Sequence, residues 1–177
     1  MSEEIQTITL AGGCFWCVEA VFEQLRGVVD VQSGYGNGHA PAPTYEAVCS
    51  GSTGHAEVVR VRFDPRRLAL EDVLQVFFAT HDPTTRNRQG ADVGTQYRSG
   101  IYYGDESQRQ VIERVLAEAN HELGGQVVTE VEPLANYSPA EPYHQHYFAN
   151  NPSQGYCAAV IGPKLEKFRR VFKDKLA

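Results

Sequence analysis

The chain has 177 residues, 42% hydrophobic and 21% charged, which suits one globular domain with a real core and excludes a disordered chain. Sixteen Lys and Arg against 22 Asp and Glu leave a formal charge of −6, which argues against nonspecific nucleic-acid binding. No apolar run approaches the roughly 20 residues that span a membrane, and the opening MSEEIQTITL lacks the basic-then-apolar order of a signal peptide.

The first extended run is IQTITL (5–10), in which Ile8 and Leu10 share one face of a short strand. It leads into Gly12-Gly13-Cys14-Phe15-Trp16-Cys17, and Phe15, Val18, Phe22 and Leu25 then recur at spacings of three and four, the mark of an amphipathic helix. Strand, glycine turn, cysteine, helix is an order that can activate a thiol. The first turn of a helix offers unpaired N–H groups and a positive dipole end to a thiolate. Three readings of Cys14 stand at this point. It is a small core residue, as most free cysteines are; or CxxC is half of a zinc site; or it is a reactive thiol. A zinc site would have to borrow from Cys49, Cys157, or His144 and His146, because no second CxxC exists. The reactive thiol fits best.

Gly27 breaks the first helix, and residues 28–33 read as a strand. A glycine- and proline-rich loop follows over 33–43, then a short helical turn over 44–50 carrying Tyr45, with Cys49 expected as a packed small residue. EVVRVRF (57–63) is the clearest strand, with Val59, Val61 and Phe63 on one face and Arg60 and Arg62 on the other. The same period of two turns Glu57 inward. Either it frays to water at the strand end, or it is a partly buried carboxylic acid with a raised pKa, held for proton donation.

Leu70, Val73, Leu74, Phe77 and Phe78 mark a second helix, closed by Asp82-Pro83. A polar loop over 84–95 contains Asp92 and Gly94, and residues 96–103 return as a strand bearing Tyr97. Asp105 caps a third helix, Gly124-Gly125 stops it, and a strand follows over 127–134. Ser138-Pro139-Ala140-Glu141 reads as a capping box introducing YHQHYF (143–148), and residues 164–175 form a last, basic amphipathic helix. No repeat or linker divides the chain. One domain over 1–177 is expected, an α+β two-layer sandwich with a mixed or mostly antiparallel sheet, a ferredoxin-like core and a long irregular C-terminal tail over 136–177 wrapping it.

GGCFWCVEA (12–20), TGHAEVV (53–59), DVGTQYRSGIYY (92–103) and YHQHYF (143–148) together resemble the A-type peptide methionine sulfoxide reductases, in the family's order over nearly the whole chain. The resemblance implies reduction of the S epimer of methionine sulfoxide, free or in oxidised proteins, with thioredoxin or another dithiol as reductant and no metal or other cofactor. It makes Cys14 the nucleophile, Phe15 and Trp16 the walls of a cup for the substrate methyl group, and Glu57 the acid at the sulfoxide oxygen. Tyr45 and Tyr97 resemble two further donors to that oxygen, and Asp92 an acidic residue that orders the site. The sulfenic acid left on Cys14 then needs a second thiol. Cys157 matches the place where many relatives carry a resolving cysteine and is the expected partner, relaying with Cys17, the other candidate. His55 and His146 lie inside the matched motifs without an assigned proton-transfer role. The rival reading is a general CxxC thiol–disulfide oxidoreductase. The expected location is the cytoplasm, where four cysteines suit redox work better than structural bridges. The expected state is a monomer that engages neither nucleic acid nor membrane.

Overall fold

The computed structural model describes residues 5–90 and 92–176. Its centre is strand β1 (Gln6–Gly12), which runs antiparallel to β3 (Ala56–Phe63) on one side and to β6 (Ser99–Tyr103) on the other. Ile8 faces Val61 and Leu10 faces Ile101 across these ladders. Strand β2 (Val28–Gly36) pairs antiparallel with β3 and sets Tyr35 opposite Glu57. β7 (Glu130–Pro133) adds to β6 in parallel, and β8 (Ser138–Pro139) closes the far edge on β2. The sheet order is β7-β6-β1-β3-β2-β8, with a small separate ribbon of β4 (Arg88–Gln89) and β5 (Asp92–Val93). Four of the five pairings in the large sheet are antiparallel, which agrees with the mixed, mostly antiparallel α+β sheet expected from the sequence.

The alternation in β3 works as its sequence suggests. Val59, Val61 and Phe63 enter the main core with Ile8 and Leu10, while Ala56 and Val58 pack on the opposite face with Ala11 and Tyr102. The main core is covered by helices α1 (Phe15–Phe22), α3 (Leu70–Thr80) and α6 (Gly162–Val171). Helix α1 departs from a simple amphipathic stripe: seven of its eight residues are buried, because the C-terminal segments cover its outer side while the sheet covers its inner side. Helix α4 (Glu106–Glu122) begins as expected, with the Asp105 carboxylate accepting from Gln108 N–H at 2.9 Å, and stops at two glycines with φ of 70° and 80°. Helix α2 (Tyr45–Cys49) is the short turn read from residues 44–50, capped by Thr44.

Several expected elements changed where distant partners claimed the backbone. Ser138 does not start a helix; Ser138–Pro139 is β8, because the free edge of β2 accepts it and Ala140 N–H reaches Ser33 O at 2.9 Å. Residues 96–103 split into a 3₁₀ turn at Thr95–Tyr97 and the strand β6, since Tyr97 N–H bonds Gly94 O rather than a ladder partner. The strand read from 127 begins only at Glu130, because the N–H groups of Val127 and Val128 are taken by Asn120 and Pro83. The last helix starts earlier than residue 164: a π-helical turn at Cys157–Ile161 runs into α6, and a 3₁₀ turn follows at Lys173–Lys175. Cys49 is exposed, not packed. Among the described residues, no helix is long and apolar enough to cross a membrane.

Candidate active site

The site begins where β1 ends. Gly13 has φ +94°, and a Cβ there would stand 2.6 Å from Gln89 Cγ, so only glycine makes this turn. The turn delivers Cys14 to the N-cap of α1, with its carbonyl accepting from Cys17 N–H at 3.1 Å. The Cys14 side chain makes no capping bond. It is half-buried, and Cys17, one helical turn on, is buried.

The two thiols act on each other and titrate as one unit. The neighbouring Cys14 thiol pulls Cys17 down to about 7, with Lys164 and the Tyr156 hydroxyl assisting against burial. Cys17, burial and the Glu57 carboxylate hold the Cys14 proton well above its ordinary value. One thiolate forms near neutrality and the second is strongly resisted.

Glu57 is the buried carboxyl beside the thiol pair. It is 1% exposed, and its Oε1 accepts from Phe15 N–H at 3.1 Å. Its Oε2 meets no hydrogen-bonding group of the protein among the described residues. Burial pushes its pKa up to about 8 against the Phe15 N–H, with Asp92 and Cys17 adding to the rise. The inward orientation read from β3 is therefore correct, and the fraying alternative is not: Glu57 is a buried, protonated acid near pH 7.

Around it lie the aromatic residues. The Phe15 ring centroid stands 5.7 Å from Tyr35, 6.3 Å from Tyr45 and 5.2 Å from His144. Trp16 stacks on Tyr147 at 3.8 Å and donates from Nε1 to His144 Nδ1 at 3.0 Å. The phenols of Tyr45 and Tyr97 are both raised, by burial and then by the nearby Glu57 carboxylate, so both remain O–H donors. Tyr45 is fixed by Glu141, whose carboxylate accepts its backbone N–H at 3.0 Å and the Tyr35 hydroxyl at 2.7 Å.

On the other side of Cys14 a cavity of about 610 Å³ is lined by both Cys14 and Cys17, with His81, Asp92, Tyr156 and Lys164. The Tyr156 hydroxyl donates to Asp92 Oδ2 at 2.6 Å and lies 3.8 Å from Cys17 Sγ. Cys157, next in sequence, is buried and does not line the cavity. The structure thus brings Cys14, Cys17, Phe15, Trp16, Tyr45, Glu57, Asp92 and Tyr97 into one neighbourhood, which Cys157 does not line. His55 stands apart as a staple: its Nδ1 accepts from Gly38 N–H and its Nε2 donates to Ala40 O, fixing the glycine-rich loop. His146 faces Glu23. Among the described residues, no third metal-ligating side chain joins Cys14 and Cys17, which leaves the zinc reading without ligands.

Sequence reasoning missed three contributors. His144 entered only as a zinc candidate and within a matched motif, Glu141 only as a capping residue, and Tyr156 not at all. Each acts across more than sixty positions of chain. Only the density of polar and aromatic residues in 141–147 hinted at it.

Comparison with known proteins matches residues 6–176 to the family model described as peptide methionine sulfoxide reductase. The chain is 54% identical over 168 residues to "Peptide methionine sulfoxide reductase MsrA" of Deinococcus radiodurans, covering 94% of this chain and 82% of that one. Its structure is similar to reduced Mxr1 from Saccharomyces cerevisiae, with a TM-score of 0.81 and 36% identity, covering 87% of this chain and 90% of that one. It is also similar to Mxr1 in complex with Trx2, with a TM-score of 0.58 and 26% identity over 81% of this chain and 85% of that one.

Proposed function

Because the chain belongs to the peptide methionine sulfoxide reductase family, we propose that Cys14 attacks the sulfur of the S epimer of methionine sulfoxide, free or protein-bound, while Glu57 protonates its oxygen. The chain is a thiol-dependent methionine sulfoxide reductase, and thioredoxin restores its thiols. A sulfoxide sulfur is a poor electrophile until its oxygen is hydrogen-bonded or protonated. The site therefore needs a thiolate, acidic donors and a small apolar cup. The thiol pair supplies the first, Glu57 with Tyr45 and Tyr97 the second, and Phe15 and Trp16 the third. Asp92 orders the thiol side of the site by holding Tyr156. The single observation that carries this reading is the buried Glu57 carboxyl, bonded through one oxygen to the helix that bears Cys14 and leaving the other unpartnered.

The step balances without a cofactor. Cys14 Sγ passes its proton to the Cys17 thiolate as it bonds to the sulfoxide sulfur, the oxygen takes the Glu57 proton, and transfer of that hydroxyl from the substrate sulfur to Cys14 leaves methionine and a Cys14 sulfenic acid. A second thiol then condenses, releasing water and forming a disulfide. Cys17, three positions along the chain and facing the same cavity, closes first in this proposal, and Cys157 next exchanges onto Cys17 to present a disulfide to thioredoxin. The working compartment in this reading is the cytoplasm, whose reductants keep thiols free.

Incubation with dithiothreitol and the separated epimers of a blocked methionine sulfoxide tests the reaction. Only the S epimer should be consumed; consumption of the R epimer, or of neither, rejects the assignment. With thioredoxin as reductant, Cys157→Ser should yield about one equivalent of methionine and then stall. Unchanged steady turnover in that variant would place recycling on Cys14 and Cys17 alone.

A further inference from the structure

Helix α1 carries a second group of polar side chains at its other end. Glu19 and Glu23 lie four positions apart and thus on one face, at the C-terminal end of α1, where the helix dipole is already negative. Two carboxylates placed together there repel each other and the dipole, and a cation is the natural counterpart. His146, at the start of helix α5 (Tyr147–Asn150), faces them across 123 positions of chain, with its Nδ1 2.6 Å from Glu23 Oε1.

We propose that Glu19, Glu23 and His146 form a binding site for one divalent first-row metal ion, which clamps the segment behind Trp16 onto α1. One donor atom from each residue lies within 4.8 Å of the other two. Donors around such an ion stand about 3–4.3 Å apart when each metal–ligand distance is about 2.0–2.2 Å, so Glu23 and His146 need to part slightly, by a few tenths of an ångström, to admit the ion. Two carboxylates and one imidazole suit Mn²⁺ or Zn²⁺. The second observation is independent of the clustering. Glu19 is 1% exposed; its Oε1 accepts from Tyr147 N–H at 3.2 Å, and its Oε2 meets no hydrogen-bonding group among the described residues. A buried carboxylate oxygen with no donor is costly, and a cation beside it removes that cost. Tyr147, held by Glu19 through its backbone, stacks on Trp16, so the clamp would stiffen one wall of the candidate active site from behind.

Titration of the reduced, full-length protein with Mn²⁺ alone, followed by the electron paramagnetic resonance of free Mn²⁺, tests the site. Mn²⁺ discriminates against the thiols, which prefer softer ions. One saturable equivalent is expected, together with a rise in Tm. Glu23→Gln and His146→Gln, whose side chains are 23% and 53% exposed and so tolerate exchange, should each raise Kd by about tenfold or more and remove the Tm shift. The Cys14→Ser/Cys17→Ser double variant should bind as the parent does. The proposal is overturned by no saturable uptake, by uptake indifferent to both single substitutions, or by uptake lost with the thiols. The first outcome would leave Glu23 and His146 as an ordinary ion pair.

Discussion

Cys14→Ser is expected to abolish methionine formation, lowering the rate by at least about 10³-fold, with no loss of stability. A serine hydroxyl does not ionise near neutrality and is a poor nucleophile toward sulfur, so neither Glu57 nor the tyrosines can compensate. Stability should hold because Cys14 is half-buried at an N-cap where its sulfur makes no capping bond. Serine is among the preferred N-cap residues, and a new bond to the N–H of the second or third helical residue could add up to about 1 kcal/mol. The checks are methionine release by chromatography and Tm on the same preparation. Residual turnover within tenfold of the parent would move the nucleophile away from Cys14.

The second large effect falls on Glu57. Glu57→Ala removes the proton donor and leaves Phe15 N–H without its acceptor, and should cost on the order of 10²–10³ in kcat/KM. Glu57→Gln keeps that acceptor and offers an amide N–H to the sulfoxide oxygen, so it should lose only on the order of 10-fold to 10²-fold. The pH profile separates the two limbs. Activity should rise as the thiol pair loses its first proton near 7, and fall above about 8 as Glu57 ionises. In Glu57→Gln the falling limb should vanish while the rising one stays. Stability follows with a definite sign. The folded-state value near 8 lies above the ordinary 4.5, so the native protein binds more protons than the unfolded chain between these limits. The contribution of Glu57 to stability is therefore largest below pH 4.5 and is lost as pH rises through 8. Denaturant titrations at pH 5 and pH 8.5 should show that loss in the parent and a smaller one in Glu57→Gln. An equal loss in both would mean that Glu57 is not the buried acid described.

Much of this site can be read from local rules. The Gly12-Gly13 turn before Cys14, the inward side of Glu57, the cap at Asp105 and the short helix bearing Tyr45 all depend on neighbours within about four positions, where sequence spacing dictates direction. The family motifs extend that reading to Tyr97 and Asp92. Local rules fail where a distant partner decides. Ser138 has the composition of a helix cap, yet the open edge of β2 draws it into the sheet. Glu141 has the spacing of a capping residue, yet it binds Tyr35 and Tyr45 about a hundred positions away. Helix α1 has an amphipathic spacing, yet its polar side is buried under chain that follows more than 120 positions later.

By itself the sequence determined where the candidate groups stand, because a thiol at a helix start and a carboxyl facing inward on a strand are consequences of short-range geometry. Tertiary structure alone decided how they are tuned. The Glu57 proton is held by burial, Trp16 is fixed by His144 and Tyr147, and Cys17 lies under a tyrosine 139 positions away whose hydroxyl is bonded to Asp92. Desolvation and hydrogen bonding depend on what finally surrounds a group, and that is set only when remote segments close over it.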